Sequence, residues 1–177
     1  MGVLTGIKVL DFGRFIAGPY CAALLADYGA DVIRIERVGG GDDRYLMPVS
    51  ATGDGGQFLH VNRNKRALAV DLESADGREI VRRLVATADV VIANMPPRAL
   101  ENLGLDYATL RGIKPDIILT AASAFGTQPA VRDGIGFDGI AQVMSGAVHL
   151  SNAQLSMLLE ALDWRRPQFS FQPERAA

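Results

Sequence analysis

The sequence predicts an α/β protein built on a doubly wound parallel sheet. Two observations carry that expectation. Short β-rich runs alternate with segments of helical spacing along the first 122 residues. The runs are also nearly all apolar, as strands covered on both faces are, rather than alternately polar.

The elements follow in order. Residues 7–12 (IKVLDF) read as a strand. Gly18-Pro19 then introduces a helix over 20–28 (YCAALLADY), closed by Gly29. Residues 31–36 (DVIRIE) form the second strand of a β-loop-α-β unit, the building block of a parallel sheet. Residues 38–58 are rich in Gly, Asp and Ser and show no clear period. Such an excursion in a compact domain is functional or mobile. Residues 67–72 (ALAVDL) read as a strand. Ser74 caps the next helix, which places Ile80, Leu84 and Val85 on an apolar face. Residues 89–93 (DVVIA) and 117–122 (IILTAA) are further strands. Between them, Pro96-Pro97 opens one short helix and 107–113 forms another. Residues 136–150 read as helical and loosely packed. Beyond them the rhythm stops: 153–162 is an amphipathic helix candidate, and 165–177 is polar with no strand signal. The expected division is therefore a domain over 1–150 and a divergent tail over 151–177.

Composition narrows the class. A chain of 177 residues can build one α/β domain with a real core. With 49% apolar and 21% charged residues it is ordinary globular material. A formal net charge of -2 creates no field that invites nucleic acid. The single cysteine, Cys21, permits no internal disulfide and fits a reducing compartment. No leader pattern and no bilayer-length apolar run appears, so the expectation is a cytoplasmic protein without a membrane partner.

In such sheets ligands bind at the carboxyl ends of the strands. Residues 13–19 (GRFIAGP) follow the first strand and open a helix, whose free N–H groups can face an anion. Their spacing is not GxGxxG, so the turn is either an anion site or a plain connector. After the second strand, Glu36 could hold a ribose hydroxyl and Arg37 could fork onto a phosphate. The same pair could equally be a charged strand end. Residues 39–43 (GGGDD) lack the Lys-Ser/Thr ending of a phosphate loop and read as flexible backbone, with no partner cluster for a metal. Lys65 and Arg66 could meet phosphates or form a solvated strand edge. His60 and His149 are isolated, and Cys21 reads as a packing thiol. Residue chemistry alone reaches a nucleotide-type ligand on an open sheet, and no reaction.

The ordered combination goes further. LTGIKVLDFGRFIAGPYCAALLADYGADVIRIERVGGGD, NRNKRALAVDLESADGREIVRRLVATADVVIAN, ENLGLDYATLRGIKPDIILTAASAFG and GIGFDGIAQVMSGAVHLS together resemble class III CoA-transferases, over residues 4–151. That family includes formyl-CoA and carnitine CoA-transferases and the α-methylacyl-CoA racemases. The resemblance implies a Rossmann-like large domain, a smaller domain, and a homodimer whose chains thread like linked rings. The substrates it implies are coenzyme A, as acyl-CoA, and a carboxylic acid, with no metal. Carried over by position, Ile16 and Ala17 touch CoA from the first loop, and Arg37 meets its phosphorylated ribose. Val70, Asp71, Leu72 and Glu73 line the adenine side. Asn94, Met95 and Pro96 follow, and Ser123 falls near the thioester arm. Asn102 stands where many relatives carry a basic residue; Arg98, one helical turn earlier, could substitute.

In the family, an aspartate attacks the thioester, forms an acyl-aspartyl anhydride and releases CoA thiolate. By position that aspartate falls near Pro167, where this sequence has none. Asp163 is nearest, but its surroundings do not match, and it reads as a helix-end charge. Phe137 stands where the racemase branch carries a histidine, which favours the transferase branch. The expectation is a truncated large domain, inactive alone. The alternative is a non-catalytic CoA-ester-binding or interaction module, or half of a split transferase with a complementary C-terminal chain.

Overall fold

In the computed structural model, which describes residues 2–126, 130–134 and 136–149, each strand-like run became a strand of one sheet. They are β1 (Lys8–Asp11), β2 (Asp31–Glu36), β3 (Arg66–Ala69), β4 (Val90–Ala93) and β5 (Ile118–Ala121). Their spatial order is β3-β2-β1-β4-β5, and every pairing is parallel. In the register, Val9 lies beside Val32 and Val90, and Asp11 beside Arg34 and Ile92. Strand order reverses between β1 and β4. That reversal opens a crevice at the carboxyl ends of the central strands.

The helices are α1 (Ala17–Asp27), α2 (Gly56–Val61), α3 (Ala75–Val85), α4 (Pro97–Leu103), α5 (Tyr107–Ile113) and α6 (Asp138–Met144). Successive residues on each strand face opposite sides, so the sheet builds two cores. Leu10, Ile35 and Val91 pack with Val81 and Val85 of α3, Leu100 of α4 and Leu110 of α5. Val9, Val32 and Ile92 pack instead on Ala22 and Ala26 of α1. The alanines let α1 approach the sheet closely, and Val9, Ala22 and Ala23 are fully buried.

Two glycines are dictated by geometry. Gly29 ends α1 at φ +101°, with a Cβ position 2.9 Å from the Gly2 Cα. Gly77, in the first turn of α3, would carry a Cβ only 1.8 Å from the Asp71 carbonyl oxygen. Ser74 caps that helix as expected, its hydroxyl accepting from the Gly77 N–H at 3.0 Å.

The 38–58 excursion contains structure that its pattern did not reveal. A 3₁₀ turn spans Asp42–Tyr45, and α2 begins at Gly56. The turn is held by Asp43 against Arg34, and α2 buries only Phe58 and Val61, too short a run to show a period. The chain divides into a unit ending at residue 135 and a second beginning at 136. In the second, α6 is laced by Gln142 Nε2 donating to Asp138 Oδ2 at 2.6 Å. The expected tail over 151–177, with Asp163, lies outside the described residues. No described helix is long and apolar enough to cross a membrane.

Candidate coenzyme site at the strand ends

The loop after β1 is fastened from both sides. On the β4 side, Asn94 Oδ1 accepts the Arg14 N–H at 2.7 Å, and its Nδ2 donates to the Arg14 carbonyl at 2.7 Å. On the β2 side, Arg34 Nη1 donates to the Gly13 carbonyl at 3.1 Å, and Asp43 Oδ2 accepts the Phe15 N–H at 3.2 Å. Between these clamps Phe15 adopts φ +60°, a left-handed conformation uncommon for a residue with a side chain. Gly13 packs so closely on Gly18 that a Cβ would lie 2.7 Å from the Gly18 Cα. The loop is thus a built feature rather than a plain connector.

Beneath it runs a buried charge network. Arg34 Nη2 pairs with Asp43 Oδ2 at 2.8 Å, both side chains almost wholly enclosed. The guanidinium also donates to Asn62 Oδ1 at 3.1 Å and lies over the Phe58 ring, 5.1 Å from its centroid. Arg44 covers the same ring at 4.2 Å and donates to Glu36 Oε1 at 2.5 Å. Lys65 Nζ pairs with Asp11 Oδ2 at 2.7 Å and donates to the Pro19 carbonyl and Asn62 Oδ1. Burial lowers the Lys65 pKa, and Asp11 pulls it back up. Among the described residues, Arg34 Nε, Glu36 Oε2 and Asp43 Oδ1 have no hydrogen-bond partner; the first two face each other at 3.8 Å. Lys65 is therefore neither a phosphate ligand nor a solvated edge. Arg66 is the exposed member, pairing with Asp31 at 2.6 Å. Burial raises the pKa of Cys21, as suits a packing thiol.

Above the network lies a cavity of about 710 Å³, within the usual range for small-molecule sites. Its walls come from the segments after β1 and β2, from 70–73 after β3, and from Met95 and Leu103. Of the residues singled out in the sequence, Arg37, Val70, Asp71, Leu72, Glu73 and Met95 line it together. Ile16, Ala17, Asn94, Pro96 and Ser123 do not. Ile16 is exposed ahead of α1, Ala17 opens that helix, and Pro96 caps α4. Asn94 is occupied with the Arg14 backbone. Ser123, just past β5, donates to the Gly126 carbonyl at 3.3 Å. Arg37 donates to the Gly40 carbonyl at 2.7 Å and pairs with Asp42.

Sequence reasoning missed Arg14, Arg34 and Asp43 at this cavity. One signal was available for Arg34. It sits between Ile33 and Ile35 in a strand covered on both faces, and a charge enclosed there needs partners. Among the described residues, no group of three potential metal ligands converges anywhere.

Comparison with known proteins gives the frame a family. The model of CoA-transferase family III matches residues 4–157. An acyl-CoA transferase from Fusarium pseudograminearum is 40% identical over 159 residues, covering 85% of this chain and 35% of that protein. A succinate–glutarate CoA-transferase from Agrobacterium fabrum is 41% identical over 155 residues, covering 84% and 39%. The crystal structure of a CaiB/BaiF family protein from Brucella suis superposes with a TM-score of 0.75 at 40% identity, covering 82% of this chain and 39% of that one. The chain thus spans well under half the length of these relatives. With a family model covering most of its residues, and a parallel sheet shared with a solved relative, the chain belongs to CoA-transferase family III.

Proposed function

We propose that this chain forms the coenzyme-holding part of an enzyme that moves CoA between an acyl-CoA and a carboxylic acid. The observation that carries the reading is the cavity at the strand-order reversal, where Arg37, Val70 to Glu73 and Met95 converge. In this reading Arg37 grips the 3′-phosphate at the cavity mouth. The 70–73 segment, braced by the Gly77–Asp71 approach, forms the adenine wall. Asn94 acts one step back, fixing the Arg14 backbone so that the first loop keeps its shape at the cavity. Ile16, Ala17, Pro96 and Ser123 meet the ligand beyond the cavity's own walls. In this reading the nucleophilic carboxylate and the contacts to the acceptor acid lie outside the described residues, and the ring-like dimer of the resemblance is the expected assembly.

The test is titration calorimetry with CoA and dephospho-CoA. Wild type should bind CoA more tightly, and Arg37→Ala should reduce that preference. Arg37 is more than half exposed, so the loss should be about 1 kcal/mol rather than that of a desolvated pair. Equal loss for both ligands would show that Arg37 does not read the phosphate. No CoA binding by folded wild type would remove the reading.

A further inference from the structure

The two cationic groups at the cavity mouth already hold an anion of the chain's own. Asp42 bridges two guanidiniums, one through each carboxylate oxygen. Its Oδ2 lies 3.5 Å from Arg14 Nη2, and its Oδ1 pairs with Arg37 Nη2. Both arginines line the cavity; Asp42 does not. The three side chains are 42%, 59% and 66% exposed for Arg14, Arg37 and Asp42, so the bridge sits in water and can be broken.

The backbone makes this arrangement specific. The Arg14 backbone is anchored by both Asn94 hydrogen bonds, which fixes where its side chain starts. Gly39 and Gly40, at φ +87° and +88°, turn the chain sharply after Arg37, and the Gly40 N–H donates to the Arg37 carbonyl at 3.0 Å. That turn brings Asp42 back over the arginine five residues earlier. Asp43, next in the chain, is buried against Arg34 and pins the turn from below. A carboxylate held between two guanidiniums occupies the place that a phosphate monoester, with its larger charge and additional oxygens, would fill better.

We propose that Arg14 and Arg37 form a paired phosphate-binding site, and that Asp42 is its internal stand-in, displaced when a phosphate monoester enters. The proposal rests on the CoA-binding reading above and extends it in two ways. It adds Arg14 as a second phosphate reader, and it makes Asp42 a competitor that sets affinity and selects against weaker anions. A ligand with no phosphate monoester cannot repay the broken bridge and is disfavoured.

The test is a mutant cycle on the 177-residue chain, read by calorimetry with CoA and dephospho-CoA. Asp42→Asn removes the competing charge. It should tighten CoA binding by about two- to fivefold, the scale of an exposed ion pair, and tighten dephospho-CoA less. Arg14→Ala should weaken CoA more than dephospho-CoA. In the Arg14→Ala/Arg37→Ala background, adding Asp42→Asn should bring no gain, because nothing remains for Asp42 to occupy. Thermal unfolding of each variant establishes that it is folded. An equal gain from Asp42→Asn with and without the arginines would mean a general field effect and overturn the stand-in. Unchanged CoA affinity in folded Asp42→Asn would do the same. Equal weakening of both ligands by Arg14→Ala would remove Arg14 as a phosphate reader. If wild type binds no CoA, the underlying reading fails first, and the two failures are distinct.

Discussion

At the scale of single residues, the site depends on charges that the fold has enclosed. Asp11 and Lys65 are buried side by side, and each has taken on backbone work as well: Asp11 Oδ1 accepts the Gly13 N–H at 2.8 Å, and Lys65 donates to the Pro19 carbonyl. Removing one partner strands the other in a low-dielectric setting. Lys65→Ala should therefore lower unfolding free energy in urea by about 3–5 kcal/mol. The double replacement Asp11→Leu/Lys65→Met removes both charges and should cost clearly less than Lys65→Ala alone. A double variant as unstable as the sum of its parts would mean the two side chains are not coupled. Neither role was legible in the sequence. Lys65 read as either a phosphate contact or a strand-edge charge, and its neighbour Arg66 really is exposed. Only the return of the chain past β1 brings Lys65 to Asp11, and sequence separation hides such a pair.

At the scale of elements, α3 shows how a helix terminus shapes the cavity wall. Its first turn presses Gly77 against the Asp71 carbonyl, and Asp71 and its neighbours form that wall. Gly77→Ala should displace the 70–73 segment, lower the thermal midpoint and weaken CoA binding together. Ser74→Ala removes the cap and should cost about 1 kcal/mol. If Gly77→Ala unfolds at the wild-type temperature, the close approach is not a constraint. Further along α3, Arg82 and Arg83 both hydrogen-bond Glu79 and hold its carboxyl down to about 2. The stabilisation from that ladder is fully present above the ordinary glutamate value of 4.5 and is lost as pH falls through about 2. Glu79→Gln should lower the thermal midpoint slightly at pH 7, and by a shrinking margin as pH is lowered from 4.5 towards 2. A margin that stays constant would show that the ladder does not contribute. The strands were legible as short apolar runs, although β3 and β5 are largely exposed, and α3 was legible from its apolar spacing, although it buries Val81 and Val85 while Ile80 is 44% exposed. The 3₁₀ turn and α2 were not legible, since they are organised by Arg34, Asp43, Arg44 and Phe58 across long stretches of chain.

At the scale of the whole molecule, fold class and family were legible in the residues themselves, because the ordered segments after each strand are distinctive as a set. The site was only partly legible. The family resemblance singled out residues 70–73, Arg37 and Met95, which share one cavity of the candidate site. It also singled out Asn94, whose side chain is spent on a neighbouring loop, and it passed over Arg14, which reaches the cavity mouth from that same loop. Strand order explains the difference: β1 is central, so its loop borders both β2 and β4, a relation that linear sequence does not display. The central claim is that CoA occupies the crevice at the carboxyl ends of β1, β2, β3 and β4. The most direct test is titration of CoA into the ¹⁵N-labelled chain, followed by amide chemical shifts. The account predicts perturbations concentrated at Gly13–Arg14, Arg37–Gly41, Val70–Glu73 and Met95, with the exposed face of α3 unmoved. Saturable shifts clustered on other elements, or none at millimolar CoA in a folded chain, would contradict it.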